Sequence, residues 1–173
     1  MPARITTLSI ALTASLVTGT LTRPIADAPA LDRRVVDLVL AGDAPSEAAH
    51  GFAGHETSTG ARAGKPFRTT SGWMHYAMTT FDDTPVTVAL TFLGVDTVAR
   101  SFDVVVEDSV IASRVLAAPL DSTIVIELSV PFSITKGRSN IAIVLRARGG
   151  RTPALREVRT VQDHHEVSYS ATR

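Results

Sequence analysis

Hydrophobic and polar positions alternate through most of the chain. In Val86–Phe92, residues Val86, Val88, Leu90 and Phe92 fall on one side and Thr87, Ala89 and Thr91 on the other. That two-residue period predicts a strand with the first set inward and the second outward. Similar β-rich runs fill residues 35–40, 73–79, 102–107, 110–116, 123–130, 141–147 and 155–161. Asp108-Ser109 reads as a hairpin turn, Thr135-Lys136-Gly137 and Ser139-Asn140 as a second turn, and Pro131 closes the strand before it, since proline cannot donate to a ladder. No window beyond the first thirty residues carries a helical stripe. Short strands separated by turn signals predict an all-β fold, an antiparallel β-sandwich of jelly-roll type. Residues 41–71 are rich in Gly, Ala, Ser, Thr and His and keep no period. They read as one long loop, and long loops inside compact domains are usually functional or disordered.

The pattern changes at both ends. Residues 1–30 begin with one positive charge at Arg4, continue with an uncharged apolar run over 5–17, and offer small-x-small cleavage patterns at Ala26-Asp27-Ala28 and Ala28-Pro29-Ala30. They predict a secretory signal peptide and a secreted or extracytoplasmic protein. The apolar run is too short for a membrane span. The alternative is that 1–30 is a remnant of an upstream domain. The sandwich is expected over 31–161, with a polar tail over 162–173 that includes His164-His165-Glu166.

Composition narrows the functional classes. At 173 residues the chain has room for one domain plus an extension. Formal net charge is zero, which leaves no footprint for nucleic acid or an anionic membrane surface. With no cysteine, thiol catalysis, disulfides and Cys-ligated zinc are excluded.

The candidate chemistry is concentrated between 46 and 76, which holds three of the five histidines and the only tryptophan. Trp73 and Tyr76 are three apart on a predicted strand and so point to opposite faces, one of them toward the core. An exposed aromatic ring beside polar groups stacks well on the apolar face of a sugar. The competing reading is that Trp73 plugs one end of the sandwich. Glu47 and His50 have the residue types of an acid–base pair, or they satisfy loop backbone groups and fix a turn. His50, His55 and Glu56 do not match the His-Glu-x-x-His spacing of zinc hydrolases, so neither a metal nor another cofactor is called for. Arg62, Lys65 and Arg68 form a small basic cluster that suits an acidic polysaccharide or simply a solvated loop. Glu47, Glu56, Asp82, Asp83 and Asp96 fall in predicted loops without a spacing that pairs two of them across a glycosidic bond.

The order of motifs carries a resemblance. Ser46-Glu47-x-x-His50, Gly54-x-x-Thr57-x-x-Gly60, Gly72-Trp73-x-x-Tyr76, Phe102-Asp103-Val104 and Ile134-Thr135-Lys136-Gly137 follow one another as in the C-terminal β-sandwich of glycoside hydrolases of the β-L-arabinofuranosidase type, family 127 and relatives. The resemblance spans about residues 32–161. The chain lacks the cysteine zinc site and the helical barrel of those enzymes, so none of their catalytic residues carries over. The resemblance implies a non-catalytic accessory domain that binds a plant-type or arabinose-containing glycan, or packs against a glycoside hydrolase catalytic domain. The expected ligand contacts are Trp73 and Tyr76 as platforms and Glu47, His50 and Arg68 as polar groups. A detached packing or dimerisation domain, or a gene fragment, is the alternative; a small enzyme acting on glycosides is a third.

Overall fold

The computed structural model describes residues 32–164. The expected leader over 1–30 and the tail residues His165 and Glu166 lie outside them. The described residues form nine antiparallel strands and two short helices: β1 (Asp32–Leu40), α1 (Ala44–Ala49), β2 (Ala53–Arg62), β3 (Lys65–Thr79), β4 (Val86–Phe92), β5 (Arg100–Val106), β6 (Ser109–Leu116), β7 (Ile124–Val130), α2 (Phe132–Thr135), β8 (Asn140–Ala147) and β9 (Leu155–His164).

Pairing sorts the strands into two layers. One runs β1-β9-β4-β7, the other β2-β3-β8-β5-β6, and the two are joined at one corner where Arg68 of β3 pairs with Leu155 of β9. The far strands β6 and β7 also meet, so the sandwich is nearly closed. The expected all-β antiparallel sandwich is the fold that forms.

Alternation explains the core. Val86, Val88, Leu90 and Phe92 of β4 point inward and are buried, as their spacing predicts. They meet Met74, Tyr76 and Met78 of β3, Phe102, Val104 and Val106 of β5, and Ile141, Ile143 and Leu145 of β8. The rings of Phe92 and Phe102 lie 5.2 Å apart, one from each layer. On the other side of β4, Ala89 and Thr91 are buried rather than exposed. Ala89 lies between Arg159 and Glu127 on the flanking strands, and Thr91 bonds to Glu157 and Arg159. Long charged side chains therefore cover that outer face.

Three expectations are corrected. Residues 41–71 are not one loop, because β2 and the first half of β3 form a hairpin there and α1 precedes it. Strand β2 lies at the edge and is exposed along nearly its whole length, so no hydrophobic alternation marks it. Its two-residue turn, Ala63-Gly64, has positive φ at both positions, 49° and 74°, the backbone of a type I′ turn without the usual Asn-Gly. The β5–β6 turn centres on Glu107-Asp108, one residue earlier than expected, with Glu107 at φ 47°. Finally, β9 runs past Val161 to His164. Gln162 is buried because its amide donates to the Phe81 and Thr84 carbonyls and accepts from the Phe81 N–H at 2.6 Å.

Candidate functional site

The residues of the 46–76 region divide into a buried cluster and an exposed face. The cluster starts from α1. Asp43 caps it by accepting from the Ser46 N–H, and Pro45 sits in its first turn, where its missing N–H costs nothing. This turn aims Glu47 into the protein. The Glu47 carboxylate accepts from Arg68 Nε at 2.6 Å and Nη2 at 2.5 Å, from the Gly42 N–H at 2.8 Å and from the Tyr76 hydroxyl at 3.2 Å. Arg68 stacks 4.2 Å above the Phe52 ring, which itself packs on Tyr76. Burial and the adjacent Glu47 charge push the Tyr76 hydroxyl far above the normal phenol range, so it stays a donor. Hydrogen bonding to Glu47 holds Arg68 more firmly protonated, against the opposing effect of burial.

His50 closes the same turn. Its Nδ1 lies 2.6 Å from the Ser46 carbonyl and its Nε2 3.0 Å from Asp37 Oδ1 on β1. Asp37 also accepts from the N–H groups of Thr79 and Leu38. Burial alone would lower the His50 pKa, but the Ser46 carbonyl and the Asp37 carboxylate outweigh it and the net shift is upward. For Asp37 burial acts upward, and the three hydrogen bonds prevail to hold it below the usual carboxylate range. Both ring nitrogens face acceptors, the arrangement of an imidazolium donating twice.

These contacts correct the expected ligand set. Tyr76 is 0% exposed and offers no ring face to a sugar. Glu47 and Arg68 satisfy each other within the fold. His50 ties α1 to β1. Ser46 Oγ, also in the motif, accepts from the Leu40 N–H. The Ser-Glu-x-x-His motif is thus a clamp holding the β1–β2 connection against β3. The basic cluster is divided as well: Arg68 is half-buried in the clamp, while Arg62 and Lys65 sit exposed at the β2–β3 tip.

Trp73 takes the opposite face. It is 40% exposed, on the outer surface of the β2-β3-β8-β5-β6 layer. Two glycines allow the backbone to approach closely around it. A Cβ on Gly72 would lie 2.8 Å from His55 Nδ1, and one on Gly54 would lie 3.0 Å from the Trp73 carbonyl oxygen. A bulge between His55 and Thr57 absorbs the mismatch, with Glu56 at φ 53°, and Thr70 stitches it by donating to the His55 carbonyl and accepting from the Gly72 N–H. Across the layer, register places one row on this outer face: His55, Trp73, Arg146, Asp103 and Ser113, on five adjacent strands. Asp103 accepts from Ser113 Oγ at 2.5 Å and from Arg148 at 3.4 Å. A shallow hollow of about 330 Å³ lined by Ser101, Ser113, Val115 and Arg148 ends the row. Sequence reasoning found Trp73 but missed Arg146, Asp103 and Ser113, which lie 30 or more residues downstream and reach it only through β-pairing.

A larger hollow of about 570 Å³ lies between the β2–β3 tip and the loops after β4 and β6, lined by Arg62, Phe67, Asp96 and Leu120 among others. Its buried carboxylate is only half engaged: Arg100 Nε donates to Asp96 Oδ1 at 2.7 Å, while Oδ2 is buried without a hydrogen-bond partner. Among the described residues, no group of three or more His, Asp or Glu is placed to hold a metal ion, and no helix is long and apolar enough to cross a membrane.

The fold is the β-sandwich of carbohydrate-binding modules. A family 35 carbohydrate-binding module from an environmental isolate superposes with a TM-score of 0.56 at 18% identity, over 73% of this chain and 96% of that one. A family 36 module, solved with calcium and xylotriose, gives 0.50 at 10% identity, over 71% and 98%. A family 115 4-O-methyl-α-glucuronidase with specificity for decorated arabinogalactans gives 0.50 at 15% identity, over 75% of this chain and 18% of that larger one. By sequence, the chain belongs to DUF6805, a family of unknown function whose pattern matches residues 30–161. No curated protein matches it.

Proposed function

We propose that the domain is a non-catalytic glycan-binding module whose platform is Trp73 on the outer face of the β2-β3-β8-β5-β6 layer. The observation that carries this reading is the exposure of the only tryptophan in the middle of a row of polar side chains. A sugar laid on the indole has its apolar face covered and its hydroxyls directed to His55, Arg146 and Asp103. The shared fold supports the class of function. The arabinogalactan specificity of the family 115 enzyme and the resemblance to arabinofuranosidase-type hydrolases favour an arabinose-containing glycan, with a glycoside hydrolase as the catalytic partner. The leader-like residues 1–30 fit a module working outside the cytoplasm.

The test follows Trp73 fluorescence during titration with arabinan, arabinogalactan and xylan oligosaccharides. A saturable shift is expected, and Trp73→Ala is expected to weaken binding at least about tenfold, equivalent to about 1.4 kcal/mol, in a protein that still unfolds cooperatively. A folded Trp73→Ala protein that binds as tightly as the parent refutes the platform. Absence of binding by the parent across the whole panel favours the packing-domain reading.

A further inference from the structure

We infer that the Trp73 face selects an acidic glycan, with Arg146 receiving a uronate carboxylate while the same sugar stacks on Trp73. This rests on the glycan-binding reading and adds to it the charge of the ligand and the residue that reads it.

Arg146 is exposed and pairs in register with Trp73 on one side and Asp103 on the other. Asp103 would be its obvious partner, but that carboxylate bonds instead, through Oδ1, to Ser113 and Arg148. Among the described residues no hydrogen bond or ion pair involves the Arg146 side chain. Two arginines therefore share one carboxylate along this row, and the one nearer the indole is uncommitted. On a chain whose formal net charge is zero, that is a local excess of positive charge next to the aromatic platform.

Spacing makes the combination usable by one ligand. Adjacent strands lie about 4.8 Å apart, so a ring over Trp73 places a substituent above β8, where Arg146 stands. A hexuronic acid carries its carboxylate at the ring edge, nearly in the plane of the ring. Stacking the ring directs that carboxylate sideways toward the guanidinium, which can bind it through two parallel N–H donors. A neutral hexose has a hydroxymethyl group at the same position and forfeits the charge-assisted pair. The row continues across β5 and β6 to the Ser101, Ser113 and Arg148 hollow, about three strand spacings from Trp73. A chain laid across the strands would therefore meet further polar groups there.

The experiment compares acidic oligosaccharides with their own neutral forms. Oligogalacturonates, oligomannuronates and glucuronate-containing hyaluronan oligosaccharides are titrated against the protein, each beside its carboxyl-reduced counterpart, with arabinan and xylan oligosaccharides as neutral probes. At least one acidic member is expected to bind tenfold or more tightly than its reduced form. Arg146→Gln should erase that preference, leave Tm unchanged and retain residual binding that still depends on Trp73. Equal binding of acidic and reduced members, or binding of the neutral probes alone with loss in Trp73→Ala, overturns the acidic assignment and leaves the glycan module standing. An acidic preference unchanged in Arg146→Gln but screened by salt overturns the role of Arg146. Failure of every glycan to bind overturns both readings.

Discussion

Glu47 shows how one side chain can look like chemistry and act as architecture. A carboxylate three residues from a histidine has the composition of an acid–base pair. In the fold it accepts from two arginine nitrogens, a backbone N–H and a tyrosine hydroxyl, and at 4% exposure it is closed off from a substrate. Removing buried Glu47 leaves the Gly42 N–H, the Tyr76 hydroxyl and the half-buried Arg68 without their acceptor, which costs about 1–3 kcal/mol. Glu47→Ala is therefore expected to lower unfolding free energy by about that amount in urea titrations, while the fraction still folded keeps its glycan affinity. Loss of affinity without loss of stability would return Glu47 to the ligand site. The His50–Asp37 pair sets a pH window. His50 is raised above its ordinary 6.5, so its contribution is full below about pH 6.5 and is lost as pH rises through the raised value. Asp37 is lowered below 3.8, so its contribution is present above about pH 3.8 and is lost as pH falls through the lowered value. The pair stabilises most between those limits. Urea midpoints measured from pH 4 to 9 should decline above about pH 6.5 in the parent, and His50→Gln should flatten that decline. An unchanged slope in His50→Gln would show that other groups carry it.

At the scale of elements, the most informative strand is the one that patterning did not reveal. Hydrophobic alternation reports a buried face, so strands with one were legible, Val86–Phe92 to the residue, although β1 and β9 each run three residues further and β3 begins eight residues earlier than the pattern set them. Strand β2 has no buried face and so has no alternation to read. The Ala63-Gly64 turn also hid the hairpin, because Ala is an unusual residue at φ 49°. The left-handed region costs an L-residue about 1 kcal/mol or more, so Ala63→Gly is expected to raise the urea midpoint by the equivalent of roughly 0.5–1 kcal/mol. A lower midpoint would mean that the added backbone freedom of glycine outweighs the relief. The candidate site was legible to the same degree as the strands that build it. Opposite facing of Trp73 and Tyr76 follows from their spacing, but only tertiary pairing decides which of them is inside. The row from Trp73 to Ser113 exists because β3, β8, β5 and β6 are neighbours in an order that sequence proximity does not disclose.

The molecule as a whole conceals its charge pattern behind a zero sum. The outer face of the β1-β9-β4-β7 layer pairs its charges, with Arg33 on Glu127 and Arg159 on Glu157. The opposite outer face leaves Arg146 over. A neutral composition excluded broad attraction to polyanions, and it remains compatible with one locally cationic strip. Strand β1 pairs with β9 along its length. Asp32 and His164 stand opposite each other in the ladder, so the described domain starts and finishes at one place, with Cα atoms about 5 Å apart. Such a unit can be spliced into a surface loop of another protein as readily as appended to its end, since both junctions need only reach the same point. The Trp73 face belongs to the other layer, and a host chain entering and leaving beside β1 and β9 would carry the module without crossing the strands that present the tryptophan.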